Sequence, residues 1–323
     1  MVGAGAIENS QMQVGDILAV IQYAMQIIFS FLMLSMMSIL LPRALISAGR
    51  ISEVLNTDLT ITDNEDSQDF SGDIKGTVEF KNVSFKYPNA EEYVLNGINF
   101  KARQGETVAI IGSTGCGKST LVNLIPRFYD VSEGEVLVDG VDVRKVKLSA
   151  LRDKLGYVPQ KGVLFSGTIA SIIGYGIEED DNFKSNIEFA AKIAQADGFI
   201  NEKPDGYDSE ISQGGTNVSG GQRQRLSIAR AIAKDPEIYI FDDSFSALDF
   251  KTDSALRKAL GEIQGRTKII VAQRISTVLN ADKILVLEDG KIVGEGTHKE
   301  LIENCPAYIQ IAQSQLSKEE IEL

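Results

Sequence analysis

Residues 112–120 read GSTGCGKST, so that three glycines, a lysine and a run of hydroxyls stand at a spacing suited to holding a phosphate chain. Gly112, Gly115 and Gly117 let the backbone close around oxygen atoms, and the N–H groups of Ser113, Thr114 and Cys116 then face one anion. This is the G-x-x-x-x-G-K-[ST] pattern of a P-loop. Within it Lys118 is expected to neutralise the β- and γ-phosphates of a nucleotide and the Ser119 hydroxyl to reach Mg²⁺, with Thr120 closing the cradle. A second set of residues belongs to the same chemistry. The apolar run Ile238 to Phe241 ends in Asp242 and Asp243, and an acid at the carboxyl end of a parallel strand beside the P-loop strand is placed to hold Mg²⁺ directly or through water. Mg-nucleotide binding follows from these residues. Kinases, GTPases, helicases and transport ATPases all remain compatible with them.

Such a cradle works between a strand and a helix, and the sequence supplies both. Val108 to Ile111 enters the loop as a short apolar strand, and Ser119 to Phe128 leaves it with a helical pattern. After Gly76, β-rich runs such as Thr77 to Phe85 and Thr107 to Ile111 alternate with Gly turns and helical patterns, the texture of an α/β domain. The chain has 323 residues, 43% of them apolar, which suits about two domains with a buried core and excludes a wholly disordered chain. Its formal charge of −13, from 32 Lys and Arg against 45 Asp and Glu, argues against a surface that covers nucleic-acid backbone. Cys116 and Cys305 match neither a zinc pattern nor a disulfide framework, which fits a reducing compartment.

A different kind of segment precedes that domain. Ile17 to Leu41 is uncharged and rich in Ile, Leu, Phe and Met. As a helix rising about 1.5 Å per residue it outreaches the roughly 30 Å hydrocarbon core of a bilayer. Gln22, Gln26, Ser30, Ser35 and Ser38 interrupt it without charge and are expected to face other helices rather than lipid. Glu8 and Asp16 come before it, and its length and acidic start do not suit a signal peptide. Arg43 and Arg50 follow while no basic residue precedes, so the positive-inside bias puts the amino end outside and everything after Arg43 in the cytoplasm. Asn56 to Asp73 then carries Asp58, Asp63, Glu65, Asp66, Asp69 and Asp73 with no basic residue, and is expected to be a solvated connector without chemistry of its own.

Val218 to Arg225, VSGGQRQR, resembles the signature of ATP-binding cassette (ABC) proteins, with Val218 where that family usually has Leu. Other elements of the family follow in its order over nearly the whole chain. Tyr87 in FKYP matches the aromatic that stacks on adenine, and Gln160 in YVPQ looks like the Q-loop glutamine that meets Mg²⁺ and the attacking water. SALD, Ser246 to Asp249, resembles the D-loop, and Gly3 to Leu55 is similar to the last transmembrane helix of an exporter half. The resemblance implies ATP as the nucleotide and Mg²⁺ as its metal, with Ser119, Gln160 and Asp242 as metal ligands. It also implies a head-to-tail dimer with a second ABC half. In that dimer Ser219, Gly220, Gly221 and Gln222, opening a helix, face the γ-phosphate held by the opposite subunit. Arg223 and Arg225 are expected on a solvated face of that helix.

Departures from the family pattern fall where hydrolysis and coupling are controlled. The Glu that usually follows the Walker B aspartate is Asp243. Shortening that side chain withdraws the carboxylate by roughly 1 Å or more, which can cost about a hundredfold in rate. The family's switch histidine is Gln273, which donates a hydrogen bond but carries no charge. Gln213 stands where exporters usually carry the X-loop glutamate, and the only histidine, His298 in EGTHKEL, matches a non-catalytic helix start. The resemblance then implies the degenerate-site half of a heterodimeric exporter, which binds ATP, hydrolyses it slowly and lends its signature to the partner. A self-sufficient ATPase with Asp243 as general base in a homodimer is the alternative, and a non-transport ABC module fits the apolar run least.

The expected fold is α/β: a P-loop NTPase core of ABC type, an antiparallel β layer from about Gly76 to Gly105 and a helical subdomain over about 160–234, preceded by one transmembrane helix. Residues 1–55 are expected to hold an external end, the last transmembrane helix and its cytoplasmic extension, 56–75 the acidic linker, and 76–323 the nucleotide-binding domain. Exporter halves carry a bundle of membrane helices, of which only the last has a counterpart here. The chain is therefore expected to be a carboxyl-terminal piece of such a half, or a truncated reading frame. The same resemblance implies the cell membrane, the remaining membrane helices as partners, and export of a small or lipid-like molecule with no nucleic acid involved.

Overall fold

The computed structural model describes residues 13–64, 66–70, 72 and 75–315. Gly3, Glu8, Glu65 and Asp73, which entered the expectations above, lie outside them. The chain divides into two units, one ending at Thr60 and the other beginning at Ile61.

In the first unit the described residues form one helix, Val14–Leu55, 42 residues long, that continues through Pro42 with no buried side chain. It outruns the uncharged segment because Arg43 to Leu55 is built largely from helix formers. It is long and apolar enough to cross a membrane. Ser30 and Ser38 donate to the carbonyls of Gln26 and Leu34, at 2.9 Å each. Two of the five polar side chains thus bond back to the helix's own carbonyls.

The second unit is a layered α/β structure. Its strands are, in chain order, β1 (Val78–Phe85), β2 (Leu95–Ala102), β3 (Thr107–Gly112), β4 (Glu133–Val138), β5 (Val141–Asp142), β6 (Leu155–Val158), β7 (Gly167–Thr168), β8 (Glu210–Ile211), β9 (Ile238–Asp242), β10 (Thr267–Val271), β11 (Lys283–Glu288) and β12 (Lys291–Gly296). The central sheet runs β12-β11-β3-β10-β9-β6. All its pairings are parallel except β11 with β12. Every residue of β9 and β10 is buried, which is why Ile238–Phe241 and Ile269–Val271 read as continuous apolar runs. Alternate residues of β3 serve two cores, as a period of two demands. Ile110 joins Phe80, Ile98, Val136 and Leu285 between the two sheets. Ala109 joins Phe241, Ile270 and the helical residues Ile187 and Leu226 on the other face.

The covering sheet runs β2-β1-β4-β5, so the antiparallel layer is not confined to Gly76–Gly105. β4 and β5 come after the P-loop helix, and β4 pairs with β1, Val78 opposite Val138. That helix is itself shorter than the Ser119–Phe128 stretch, spanning Lys118–Asn123, because Pro126 disfavours helical backbone in the residue before it. Helices Ile169–Ile173, Phe183–Ile193, Asp197–Asn201 and Gly220–Ala233 fall within 160–234, accompanied by the small β7-β8 pair.

The acidic connector is not a free tether where it is described. Gln68 donates its N–H to the Lys145 carbonyl and accepts from the Lys147 N–H, both at 3.1 Å. Phe70 packs on the core between the sheets, with the Lys154 ammonium 4.9 Å from its ring. Asp63 Oδ1 accepts the N–H of Leu148 at 2.8 Å, satisfying an orphan donor at the start of helix Leu148–Asp153. Its charges suggest a tether, but it docks through backbone, one ring, a helix cap and an exposed ion pair of Asp69 with Lys147 at 3.1 Å. Asp63→Ala is expected to lower the stability of this unit by up to about 1 kcal/mol, read as an earlier denaturant midpoint. An unchanged midpoint would show that the cap contributes nothing.

Candidate nucleotide-binding site

β3 ends at Gly112 so close to β11 that a Cβ there would strike the carbonyl oxygen of Leu287 and come within 2.8 Å of Cys116 Sγ. Gly117, at φ +102, caps the helix Lys118–Asn123 and leaves no room beside Leu95 Cδ2, 2.8 Å from a virtual Cβ. The side of Gly115 is open by contrast. Lys118, 8% exposed, donates from Nζ to the carbonyls of Gly112 and Ser113 at 2.8 and 2.7 Å. Both acceptors are neutral, so a phosphate oxygen offers that ammonium a stronger, charge-assisted bond.

Ser119 Oγ donates to Asp242 Oδ1 at 2.7 Å, joining the P-loop helix to the carboxyl end of β9. The hydroxyls of Tyr87 and Thr120 share a hydrogen bond of 2.9 Å, and the Tyr87 ring packs edge-on against Phe85 and Tyr129. Beyond β9 the backbone turns through a left-handed residue, Asp243 at φ +47, a conformation that Asp tolerates better than most side chains. Gln160 Nε2 and Gln273 Nε2 both donate to Asp243 Oδ2, at 3.1 and 2.6 Å. Gln160 follows β6 and Gln273 follows β10, so ends of neighbouring parallel strands deliver all three side chains to one edge of the sheet. Burial raises the carboxyl pKa of Asp242 and of Asp243, opposed by the Ser119 bond at the first and the Gln160 bond at the second.

The residues suit Mg²⁺, a hard cation that takes oxygen ligands and retains water and phosphate in its shell. Ser119 and Asp242 are already in contact, and Gln160 adds a carbonyl. Among the described residues no group of three or more His, Cys, Asp or Glu is placed to hold a metal alone. The nucleotide's own oxygens would have to complete the coordination.

Tyr87, residues 112–120, Gln160, Asp242, Asp243 and Gln273 thus gather around the loop. Ser219, Gly220, Gly221 and Gln222 make no hydrogen bond to residues 112–120 among the described residues. Ser219 Oγ accepts the N–H of Gln222 at 3.2 Å and Gln222 Oε1 accepts the N–H of Ser219 at 3.0 Å, a reciprocal capping box that leaves Ser219 and Gly220 exposed at the helix start.

Some assignments change. Arg223 and Arg225 are not on a solvated face: Arg223 donates to the Gly215 carbonyl at 3.2 Å, and Arg225 donates to the Gln195 carbonyl at 2.6 Å with its guanidinium over Phe199. Their long stems cross to neighbouring segments, which helical periodicity does not reveal. Gln224 was missed altogether. Buried, it accepts from Gly162 N–H at 3.1 Å and donates to the Pro159 carbonyl at 3.2 Å, clamping the segment that carries Gln160. Tyr157 also bridges, donating to Asn123 Oδ1 at 2.8 Å and so tying β6 to the P-loop helix. Gln213 is exposed. His298 starts a helix and pairs with the Tyr308 hydroxyl at 2.7 Å, as expected for a structural residue.

A family model described as ABC transporter matches residues 95–246. An uncharacterized ABC transporter ATP-binding protein of Mycobacterium tuberculosis is 46% identical over 316 residues, covering 97% of this chain and 54% of the relative. The ATP-dependent lipid A-core flippase of Escherichia coli is 43% identical over 264 residues, 80% of this chain and 45% of that protein. A solved structure of a bacterial Atm1-family ABC exporter with ATP bound superposes at a TM-score of 0.79 with 35% identity, over 95% of this chain and 54% of its own. The chain spans about half the length of these relatives. With the P-loop between β3 and its helix, Asp242 bonded to Ser119 and a capped signature helix, the chain belongs to the ABC transporter family.

Proposed function

We propose that the chain is the ATP-binding and weakly hydrolysing subunit of an ABC exporter, acting as the degenerate-site half of a heterodimer. One observation carries the reading: Asp243 Oδ2 receives both Gln160 and Gln273, at 3.1 and 2.6 Å. A carboxylate one methylene shorter than the family's Glu, and engaged by two amides, is poorly placed to polarise water. Gln273 adds a neutral donor where the family has an imidazole.

ATP with Mg²⁺ supplies the transferable phosphoryl group and its activation. Around it Lys118 neutralises phosphate charge, while Ser119, Asp242 and Gln160 would hold the ion. Tyr87 is assigned to the adenine and Asp243 to the attacking water. In the head-to-tail dimer of the family, Ser219 to Gln222 would meet ATP held by the partner. A membrane-length helix and the likeness to an Atm1-family exporter and a lipid A-core flippase support export of a small or lipid-like molecule. The remaining membrane helices and a second ABC half are the proposed partners, with the ATP-binding unit on the cytoplasmic side of the cell membrane.

The chain alone, incubated with doubly labelled ATP and Mg²⁺ and then separated from free nucleotide, is expected to return most of its bound label as intact ATP over many minutes. Brisk release of phosphate would instead support a self-sufficient homodimeric ATPase.

A further inference from the structure

We infer that Gln315, the last residue of the helix Pro306–Gln315, is a positioning residue that holds Gln273 against Asp243. The inference rests on the reading of Asp243 as the residue that faces the attacking water.

The helix reaches that site through its own periodicity. Tyr308, Ala312 and Gln315 stand four and then three residues apart, a spacing that puts them on one face. Tyr308 and Ala312 are fully buried, and the Tyr308 hydroxyl is paired with His298 at 2.7 Å. The helix packs beside the short helix Ile275–Val278, so its inner face delivers the Gln315 side chain to the turn that follows β10. There Nε2 donates to the Gln273 carbonyl and Oε1 accepts the Ile275 N–H, both at 2.9 Å. One amide thus spans the backbone on either side of Arg274.

Both bonds answer a need of that turn. Ile275 is buried, and its N–H opens a helix for which Arg274 supplies no side-chain cap, so without Gln315 it would be an orphan donor. A carbonyl only accepts and an N–H only donates, so a side chain that joins the two must offer both functions. Glutamine does, and ionised glutamate does not. The other glutamine on Asp243 is held in the same manner, since Gln224 spans from the Pro159 carbonyl to the Gly162 N–H across Gln160. The two side chains that meet at Asp243 Oδ2 therefore both leave backbone bracketed by an amide from a distant helix. Gln224 is buried and Gln315 exposed, which makes the bracket at Gln273 the one that opens more readily.

The test uses the full chain in detergent micelles. Gln315→Ala removes both bonds, and Gln315→Glu keeps an acceptor for the Ile275 N–H while setting a second oxygen against the Gln273 carbonyl. The position is exposed, so the fold is expected to survive both changes. With enzyme in excess over labelled ATP, each variant is expected to raise single-turnover hydrolysis about threefold at unchanged ATP affinity, the scale of one lost hydrogen bond. In a Gln273→Ala background neither should add anything, because the side chain they release is gone. In the nucleotide-free chain, hydrogen exchange over residues 272–278 should quicken about threefold in Gln315→Ala. Exchange that does not quicken removes the bracket. An unchanged rate overturns the positioning role and leaves Gln315 a helix cap, and an effect that persists undiminished in Gln273→Ala overturns it too. A fall in rate that vanishes in Gln273→Ala keeps the positioning role and instead overturns the restraint of Asp243 on which the proposed function rests.

Discussion

Lys118→Ala is expected to lower ATP affinity by roughly a hundred- to a thousandfold, since truncating one partner of a desolvated, hydrogen-bonded charge pair costs about 3 to 4 kcal/mol. Lys118 is 8% exposed and anchored by the Gly112 and Ser113 carbonyls, so its ammonium already stands inside the loop it would share with phosphate. It has a second task. The same two bonds tie the start of the loop to the first residue of the helix, and alanine releases them. Equilibrium titration with labelled ATP reads the loss of affinity, and the shift in unfolding temperature with added ATP reads it independently, because a ligand that binds only the folded state stabilises it by mass action. Unchanged affinity would remove phosphate binding from residues 112–120. A raised intrinsic lability of the apo chain with unchanged affinity would leave Lys118 as a loop clamp and nothing more.

The loop was legible in the sequence because its determinants are contiguous. Three glycines, the lysine and the hydroxyl sit within nine residues, and Gly112 and Gly117 have steric reasons in the structure, the Leu287 carbonyl against the first and Leu95 against the second, while Gly115 is set by its positive φ of +87. The β9 run was legible for a related cause: a strand buried on both faces has to be apolar throughout. The antiparallel layer was not, because Val78 pairs with Val138 across the whole P-loop segment, and nothing local announces so distant a partner. Polar side chains with buried work were equally silent. Arg223 and Arg225 read as the outer face of a helix and Gln224 carried no signal at all, yet all three bond carbonyls or N–H groups of other segments. The acidic connector misled for the opposite reason: its charge was visible and its backbone pairing with Lys145 and Lys147 was not.

Asp243 and Gln273 stand in separate motifs of the sequence, thirty residues apart. In the structure they meet at a single carboxylate oxygen, 2.6 Å from Gln273 Nε2, so their effects on hydrolysis should not add. Asp243→Glu alone extends the carboxylate by one methylene, by roughly 1 Å or more, but leaves Gln273 to hold it back. It also sets a longer side chain at φ +47, where Asp and Asn are favoured. Gln273→His alone supplies a ring that Asp243 would draw into an ion pair, since a neighbouring carboxylate favours the charged imidazole. Each single variant is therefore expected to raise single-turnover hydrolysis by less than about tenfold, and Asp243→Glu with Gln273→His by about a hundredfold or more, the scale of a restored base and a restored transition-state donor. The measurement takes enzyme in excess over labelled ATP, with affinity checked in the same titration so that a binding change is not read as chemistry. A flat rate in the double variant, at unchanged affinity, would mean that Asp243 and Gln273 do not limit hydrolysis. The degenerate-site reading would then lose its only structural support, while ATP binding at the loop would stand untouched.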